Sequence, residues 1–192
     1  MIYLASASPR RQELLRQIGL AFEAVPSGIH EAPRPGETPE QYVLRAATDK
    51  ARTVAHRVAE SGRPERPVLG ADTEVVLAGE VLGKPRDLPH ARAMLRRLAD
   101  RSHEVLTAIV LLHAGREYSA LSASRVTFGP LDDAEIARYW ETGEPADKAG
   151  GYAVQGRAAA FIRHIEGSYS GIMGLPLHEL AQLLWQAGIE QP

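Results

Sequence analysis

Residues 105–128 read VLTAIVLLHAGREYSALSASRVTF. Val105, Thr107, Ile109 and Leu111 recur at the period of two that marks one face of a strand. Ala114-Gly115 supplies a turn, and Tyr118 to Phe128 returns in β-type residues, so the stretch predicts a hairpin. A second, shorter hairpin is predicted upstream, where the run at 68–77 turns at Ala78-Gly79-Glu80 into Val81-Leu82. Elsewhere strand-like and helix-like segments alternate. Alternation alone would give a parallel sheet, but hairpins need antiparallel neighbours, so the expected class is α/β with a mixed, elongated β-sheet and helices packed on it.

Outward from the hairpin, residues 2–5 predict a buried strand. A helix follows at once, with Ser8 as cap, Pro9 at its first position, an apolar stripe of Leu14, Leu15 and Ile18, and Gly19 as its end. Residues 22–25 predict another strand and 26–37 a loop. Thr38-Pro39-Glu40-Gln41 is a capping box opening a helix to about Ala59, whose apolar face holds Val43, Ala47, Ala51, Val54 and Val58. Further helices are predicted at 89–99, from the Asp132/Glu135 cap to Trp140, and at 175–187. The glycine-rich stretch 143–157 reads as a loop, and 158–165 as a strand. There is no internal repeat and no convincing linker, so residues 1–192 read as a single domain.

Composition narrows the functional classes. The hydrophobic fraction is 44% and the charged fraction 24%, ordinary for a globular chain. A chain of this length buries about 70% of its unfolded surface, enough for a core without staples. Cysteine is absent, which excludes disulfides, a thiolate zinc site and a cysteine nucleophile, and fits a cytoplasmic location. A net charge of -2 gives no global field for nucleic acid. No signal peptide and no membrane span are expected. The seven histidines show no metal-binding spacing, and Walker A, GxGxxG and GxSxG patterns are missing.

Five places break local rules, which is where function concentrates. Ser6-Ala7-Ser8-Pro9-Arg10-Arg11 puts two arginines at the positive end of a helix, as an oligoanion site would; the plain alternative is that both point into water. Lys50 falls within the apolar stripe of its helix, where it either snorkels or reaches a ligand phosphate. Asp72 interrupts VLGADTEVVL, a buried-type strand, and Glu74 continues its side of the alternation; that side is either a solvated face or a site. Lys84 follows Gly83 after the short hairpin, which can return it towards Asp72. Finally, Glu144-Pro145-Ala146-Asp147-Lys148-Ala149-Gly150-Gly151-Tyr152-Ala153-Val154-Gln155-Gly156 reads either as a binding loop or as a flexible connection.

In order along the chain, LASASPRR (4–11), GADTEVV (70–76), LGKPRD (82–87), DKAGGYAVQG (147–156) and GSYSGIMGLPL (167–177) resemble the motifs of the Maf family of nucleoside triphosphate pyrophosphatases. Each motif is weak singly; the ordered set is specific and covers nearly the whole chain. The resemblance implies two lobes around a cleft, a fold similar to inosine triphosphate pyrophosphatases, and hydrolysis of a nucleoside triphosphate to the monophosphate and pyrophosphate. By motif position it implies Asp72 as proton acceptor and Arg10, Thr73 and Gln155 as positions governing substrate choice. Ser8, Arg11, Glu31, Lys50 and Lys84 match other cleft positions, and the Lys148 and Gln155 pattern resembles the branch acting on dTTP and UTP. A divalent cation, Mg²⁺ or Mn²⁺, is expected on Glu31 and Asp72, with Lys84 and the other cations neutralising the triphosphate. Family members are often dimers, so a homodimer is an expectation. The chain departs from the family pattern at His30, where an acid is common, and at Glu74, where a small or β-branched residue is common. Two other classes stand beside the enzyme: a non-catalytic nucleotide sensor and a cell-division regulator.

Overall fold

The computed structural model describes residues 1–30 and 32–189. Along the chain run β1 (Ile2–Leu4), α1 (Pro9–Gln17), β2 (Phe22–Ala24), α2 (Pro39–Glu60), β3 (Val68–Leu77), β4 (Glu80–Val81) and α3 (Leu88–Leu98). Then follow β5 (Ser102–His113), β6 (Arg116–Phe128), α4 (Asp133–Trp140), β7 (Ile162–Glu166), α5 (Tyr169–Met173) and α6 (Leu177–Gln186). Short 3-10 turns occupy Glu144–Asp147, Ala149–Gly151 and Arg157–Phe161. The strands form one sheet in the order β2-β1-β3-β5-β6-β7, with β4 on β3. β2, β1 and β3 run parallel, and β3, β5, β6 and β7 are successively antiparallel. The mixed sheet expected from the two hairpins is the one observed.

Alternation along β3 and β5 distributes the core. On one face, Leu69, Ala71, Ile109 and Leu111 pack with Leu14 and Leu15 of α1 and Leu180, Leu183 and Leu184 of α6. Further along that face, Val75, Leu77 and Val105 pack with Met94, Leu95 and Leu98 of α3 and Ile136 and Tyr139 of α4. Between these two clusters the paired residues are Thr73 and Thr107. The two lobes are therefore two cores on one face of a continuous sheet. On the other face, Val68, Val76, Leu106, Ala108 and Val110 pack with Val43, Ala47, Ala51 and Val54 of α2. Gly70 permits that contact, since a Cβ there would lie 2.2 Å from the Ala47 carbonyl oxygen.

One edge of β3 is interrupted. β5 pairs with it from Val68 to Val76, so β1 and β4 must share the opposite edge. β1 reaches only Val68 and Leu69, and β4 only Val76 and Leu77. Ala5 N–H donates to Leu69 O and Leu82 N–H to Val75 O, extending each pairing by one bond. Between Leu69 and Val75 the sheet has a notch.

The local signals act as the sequence predicts. Thr38 Oγ1 accepts from Gln41 N–H at 3.3 Å while Thr38 N–H donates to Gln41 Oε1 at 3.0 Å. The expected strand at 158–165 is a correction: a 3-10 turn runs to Phe161 and only then does β7 begin. The Glu144 carboxylate accepts from Arg157 N–H at 2.9 Å and so favours the turn. The last helix begins at Leu177 rather than 175, with Pro176 as its N-cap. The helix at Tyr169–Met173 is not anticipated by the sequence; Ser168 caps it through Gly171 N–H and Gly174, at φ 118°, ends it. No described helix is long and apolar enough to cross a membrane.

Candidate active site

The notch opens onto a cavity of about 690 Å³ between the lobes, a volume suited to a small organic ligand. Ser8, Arg10, Arg11, Lys50, Asp72, Thr73, Lys84, Lys148 and Gln155 all line it. Every sequence-predicted site residue that the structure describes is thus on one cavity. Glu31 lies outside the described residues, so its expected place beside Asp72 has no structural counterpart here.

Asp72 lies within the notch, 6% exposed. Lys50 Nζ of α2 donates to its Oδ1 at 2.6 Å, which explains a cation on the apolar stripe of that helix. The close approach of α2 at Gly70 brings Lys50 within reach. Asp72 Oδ2 is buried and has no hydrogen-bond partner among the described residues. Leaving a carboxylate oxygen so placed costs on the order of 1–3 kcal/mol, which makes it a position for a ligand. Glu74 lines the cavity two residues on and is half-buried.

The arginine pair at the start of α1 divides its work. Arg11 is buried, donating from Nε to Gly174 O at 2.8 Å, from Nη1 to Ser6 Oγ at 3.2 Å and from Nη2 to Thr73 Oγ1 at 3.1 Å. It braces α1 against β3 and the turn after α5. Arg10 is half-buried, and its guanidinium makes no hydrogen bond or ion pair among the described residues. Burial holds its guanidinium below the ordinary arginine pKa, while Asp147, Glu13 and Glu144 pull the other way. Ser8 is the N-cap of α1 but makes no capping bond with its side chain, so its hydroxyl is not spent on the helix.

The opposite wall is built by the glycine-rich segment, which is pinned rather than loose. Gly150 N–H donates to Gly83 O at 2.8 Å. A Cβ at Gly150 would meet the Val75 methyl carbons at 2.9 Å, and its φ of 69° also favours glycine. That contact sets Lys84 and Lys148 on the same wall. Lys148 is paired with Asp147. Tyr152 is anchored by His103, with Nε2 and the phenol oxygen 2.7 Å apart, and packs edge-on against Phe128. Burial drives the His103 pKa down to about 4 and the Tyr152 pKa up. Gln155, at the end of this wall, is exposed, and its amide makes no hydrogen bond among the described residues.

Sequence reasoning gave no individual role to four residues that shape the site, although Glu144 and Tyr152 fall within the expected binding loop. Glu144 lines the cavity but is committed to Tyr139, whose hydroxyl donates to it at 2.6 Å, and to the turn at Arg157. Gly174 accepts from Arg11, and Tyr152 holds the glycine-rich wall. Thr107 carries the one readable signal, a hydroxyl within the apolar alternation of its strand.

A family model described as Maf-like protein matches residues 1–187. A protein of Ralstonia nicotianae named dTTP/UTP pyrophosphatase is 54% identical over 98% of this chain and 94% of its own length. Proteins with the same name from Alkalilimnicola ehrlichii and Chromobacterium violaceum are 55% and 49% identical, covering 95% and 100% of this chain and 91% and 96% of their own. Among solved structures, the Staphylococcus aureus Ham1 protein matches 66% of this chain and 71% of its own at 11% identity, with a TM-score of 0.42. That likeness is too slight to bear on the fold, which rests on the strands described above.

Proposed function

This chain belongs to the Maf-like protein family, and from that membership and the cleft we propose that it hydrolyses nucleoside triphosphates, dTTP and UTP foremost, to the nucleoside monophosphate and pyrophosphate. The observation that carries the reading is Asp72. One of its oxygens is held by Lys50 at 2.6 Å, and the other is buried without a hydrogen-bond partner among the described residues. It sits in a cavity also lined by Arg10, Lys84 and Lys148. An acceptor surrounded by cations suits attack of water on a polyanion.

In this reading Asp72 Oδ2 takes the proton of the attacking water as the water oxygen bonds the α-phosphorus. The bond from that phosphorus to the bridging oxygen breaks, and pyrophosphate leaves with its charge. Lys84 and Lys148, on one wall, neutralise the leaving group. Arg10, Ser8 and Lys50 hold the remaining phosphate oxygens, with Arg11 fixing the helix that presents them. Thr73 and Gln155 face the base, whose N3–H donor and carbonyl acceptors an amide and a hydroxyl can complement.

A divalent cation fits the donor set. No group of three His, Cys, Asp or Glu able to hold a metal occurs among the described residues, but Mg²⁺ on a nucleotide needs only one or two carboxylates beside phosphate oxygens and water. The Asp72 carboxylate would offer one, and Glu31 is the expected second. Bound there, Mg²⁺ or Mn²⁺ would withdraw charge from the phosphates. The cytoplasmic location and the homodimer belong to the same reading, the first from composition and the second from family resemblance.

The test is pyrophosphate release from a panel of triphosphates, with Mg²⁺ or Mn²⁺, by wild type and Asp72→Asn. Release from dTTP and UTP that falls by orders of magnitude in the variant is expected. Tight binding without release by wild type would overturn the enzyme in favour of a sensor, and full turnover by Asp72→Asn would remove Asp72 from the proton-accepting role.

A further inference from the structure

Gln155 sits on a tight turn, closed by Gly156 N–H donating to Ala153 O at 3.0 Å. Val154, beside it, is buried in the core built on α3 and α4. The residues flanking the turn are tied to one another by side chains of α4 and of the segment after it. Two positions before Gln155, Ala153 N–H donates to the Tyr139 hydroxyl oxygen at 3.2 Å. Two positions after it, Arg157 N–H donates to Glu144 Oε2 at 2.9 Å, and Ala158 N–H donates to Oε1 at 3.4 Å. Tyr139 O–H donates to Glu144 Oε1 at 2.6 Å, which closes the ring. A phenol has one proton to give and an oxygen that accepts, and both are in use here. Tyr139 is 2% exposed and meets Phe161 edge-on, so the ring is rooted in the core. Gly156 fits closely against it, since a Cβ there would lie 2.3 Å from Glu144 Oε2. The Gln155 main chain is therefore held on both sides, and its exposed side chain is the part left free to move.

We propose that Tyr139 and Glu144 are positioning residues for base selection, which by pinning the turn make Gln155 a gauge of how far the base edge lies from the sugar. This rests on the base-reading role given to Gln155 above and extends it. Uracil and thymine present N3–H beside a carbonyl, and hypoxanthine presents N1–H beside a carbonyl. An amide complements that pair in either ring, so its hydrogen-bonding pattern alone does not separate a uridine from an inosine nucleotide. Distance does, because the purine carries its pair one fused ring further from the sugar. A loop able to retreat would accept both. A turn fixed before and behind accepts the shorter base, and it is ordered when the chain folds rather than when the nucleotide binds. Tyr139 and Glu144 act through the main chain of Gln155 and need not touch the base.

The experiment compares kcat/KM for UTP and ITP in wild type, Tyr139→Phe, Gln155→Ala and the double variant. Phenylalanine keeps the aromatic ring in the core and removes the hydroxyl, so that Ala153 and Glu144 both lose their tie. The UTP:ITP ratio is expected to fall about fivefold in Tyr139→Phe, the worth of one neutral hydrogen bond to the base. Gln155→Ala should lower it by a similar factor. Adding Tyr139→Phe to that variant should lower it no further, because the turn then has no amide to place. A folding defect alone would depress both substrates in proportion and leave the ratio where it was. A wild-type ratio in Tyr139→Phe, or an equal further fall in the Gln155→Ala background, overturns the proposal. Should the phenylalanine variant not fold, Gly156→Ala, which displaces the Glu144 carboxylate from the other side, is assayed in its place and the same outcomes decide. A wild-type ratio in Gln155→Ala refutes the base-reading role and the proposal with it. Wild type that releases pyrophosphate from neither UTP nor dTTP would instead refute the functional reading itself.

Discussion

Lys50→Met tests whether the pair at the notch is a coupled buried ion pair. Methionine retains most of the apolar stem of Lys50 and removes its ammonium. At a separation of 2.6 Å and an effective dielectric constant of ~20, the gross attraction is about 6 kcal/mol. Removing two charges from water offsets most of it, so the intact pair contributes little net stability. Breaking it from one side is different. The side chains of Lys50 and Asp72 are only 13% and 8% exposed, and Asp72 Oδ2 already lacks a hydrogen-bond partner among the described residues. The variant therefore keeps a buried carboxylate without its counter-charge, at a cost of about 3–5 kcal/mol. For a chain of this size that is a fall in Tm of roughly 10 °C. Asp72→Asn should cost about 2–3 kcal/mol by removing the charge-assisted hydrogen bond from Lys50 Nζ. The double variant removes both charges and should be more stable than the sum of the two losses by at least ~2 kcal/mol. Urea unfolding of all four proteins at neutral pH, at constant m, measures the cycle. Additivity within about 0.5 kcal/mol would refute the reasoning, and Lys50 would then be a surface cation resting on the acid.

His103 gives a pH signature. Its folded pKa, about 4, lies below the ordinary 6.5, so protonation favours the unfolded chain; stability is full above pH 6.5 and should fall by about 3 kcal/mol as pH drops to 4. His103→Leu should flatten that window in chemical denaturation, and an unchanged slope would mean the imidazole is not buried neutral. Gly70→Ala places a methyl 2.2 Å from the Ala47 carbonyl oxygen, so α2 must retreat; a loss of about 3 kcal/mol with a parallel loss of turnover is expected, and wild-type values for both would show that Lys50 does not depend on that approach. Gln155→Ala, at an exposed residue, should change stability by less than about 0.5 kcal/mol while relaxing the preference for UTP over CTP; an unaltered substrate profile would exclude the amide from base recognition.

Much of this was legible because the signals are local. The Thr38 and Asp132 capping boxes, Pro9 at the head of α1 and the 105–128 hairpin each rest on bonds or periods within a few residues. The same logic singled out Lys50 and Asp72, since a charge on an apolar stripe or within a buried strand needs a partner, and each turned out to be the partner of the other. What stayed hidden depends on distant chain. The turn at Arg157–Phe161 is capped by Glu144, 13 residues upstream, so the strand-like residues there lose to a tertiary bond. Arg11 finds Thr73 62 residues away and Gly174 163 residues away. No local pattern distinguishes it from Arg10, its neighbour, which makes no such bonds. α5 escapes because five residues are too few for a helical period to show.

The interruption of β3 gives a physical reason for placing the acid there. An unpaired strand edge is ordinarily a hazard, since its free N–H and C=O groups invite another strand. Here the gap between β1 and β4 is only a few residues long and opens into a cavity flanked by two lobes, so no strand can dock. The other edge of β3 is paired with β5 along nearly its whole length, and β5 in turn with β6. Asp72 and Thr73 therefore stand on backbone held by β5 along one edge while facing open space at the other. Lys84 and Lys148, on connecting segments, are fixed by comparatively few bonds, chiefly Gly150 to Gly83 and Tyr152 to His103. Chemistry that needs a water aligned with one phosphorus atom gains most from rigidity at the acid. Charge neutralisation falls off slowly with distance and tolerates looser supports. The allocation of the acid to a strand, and of Lys84 and Lys148 to connecting segments, follows that difference.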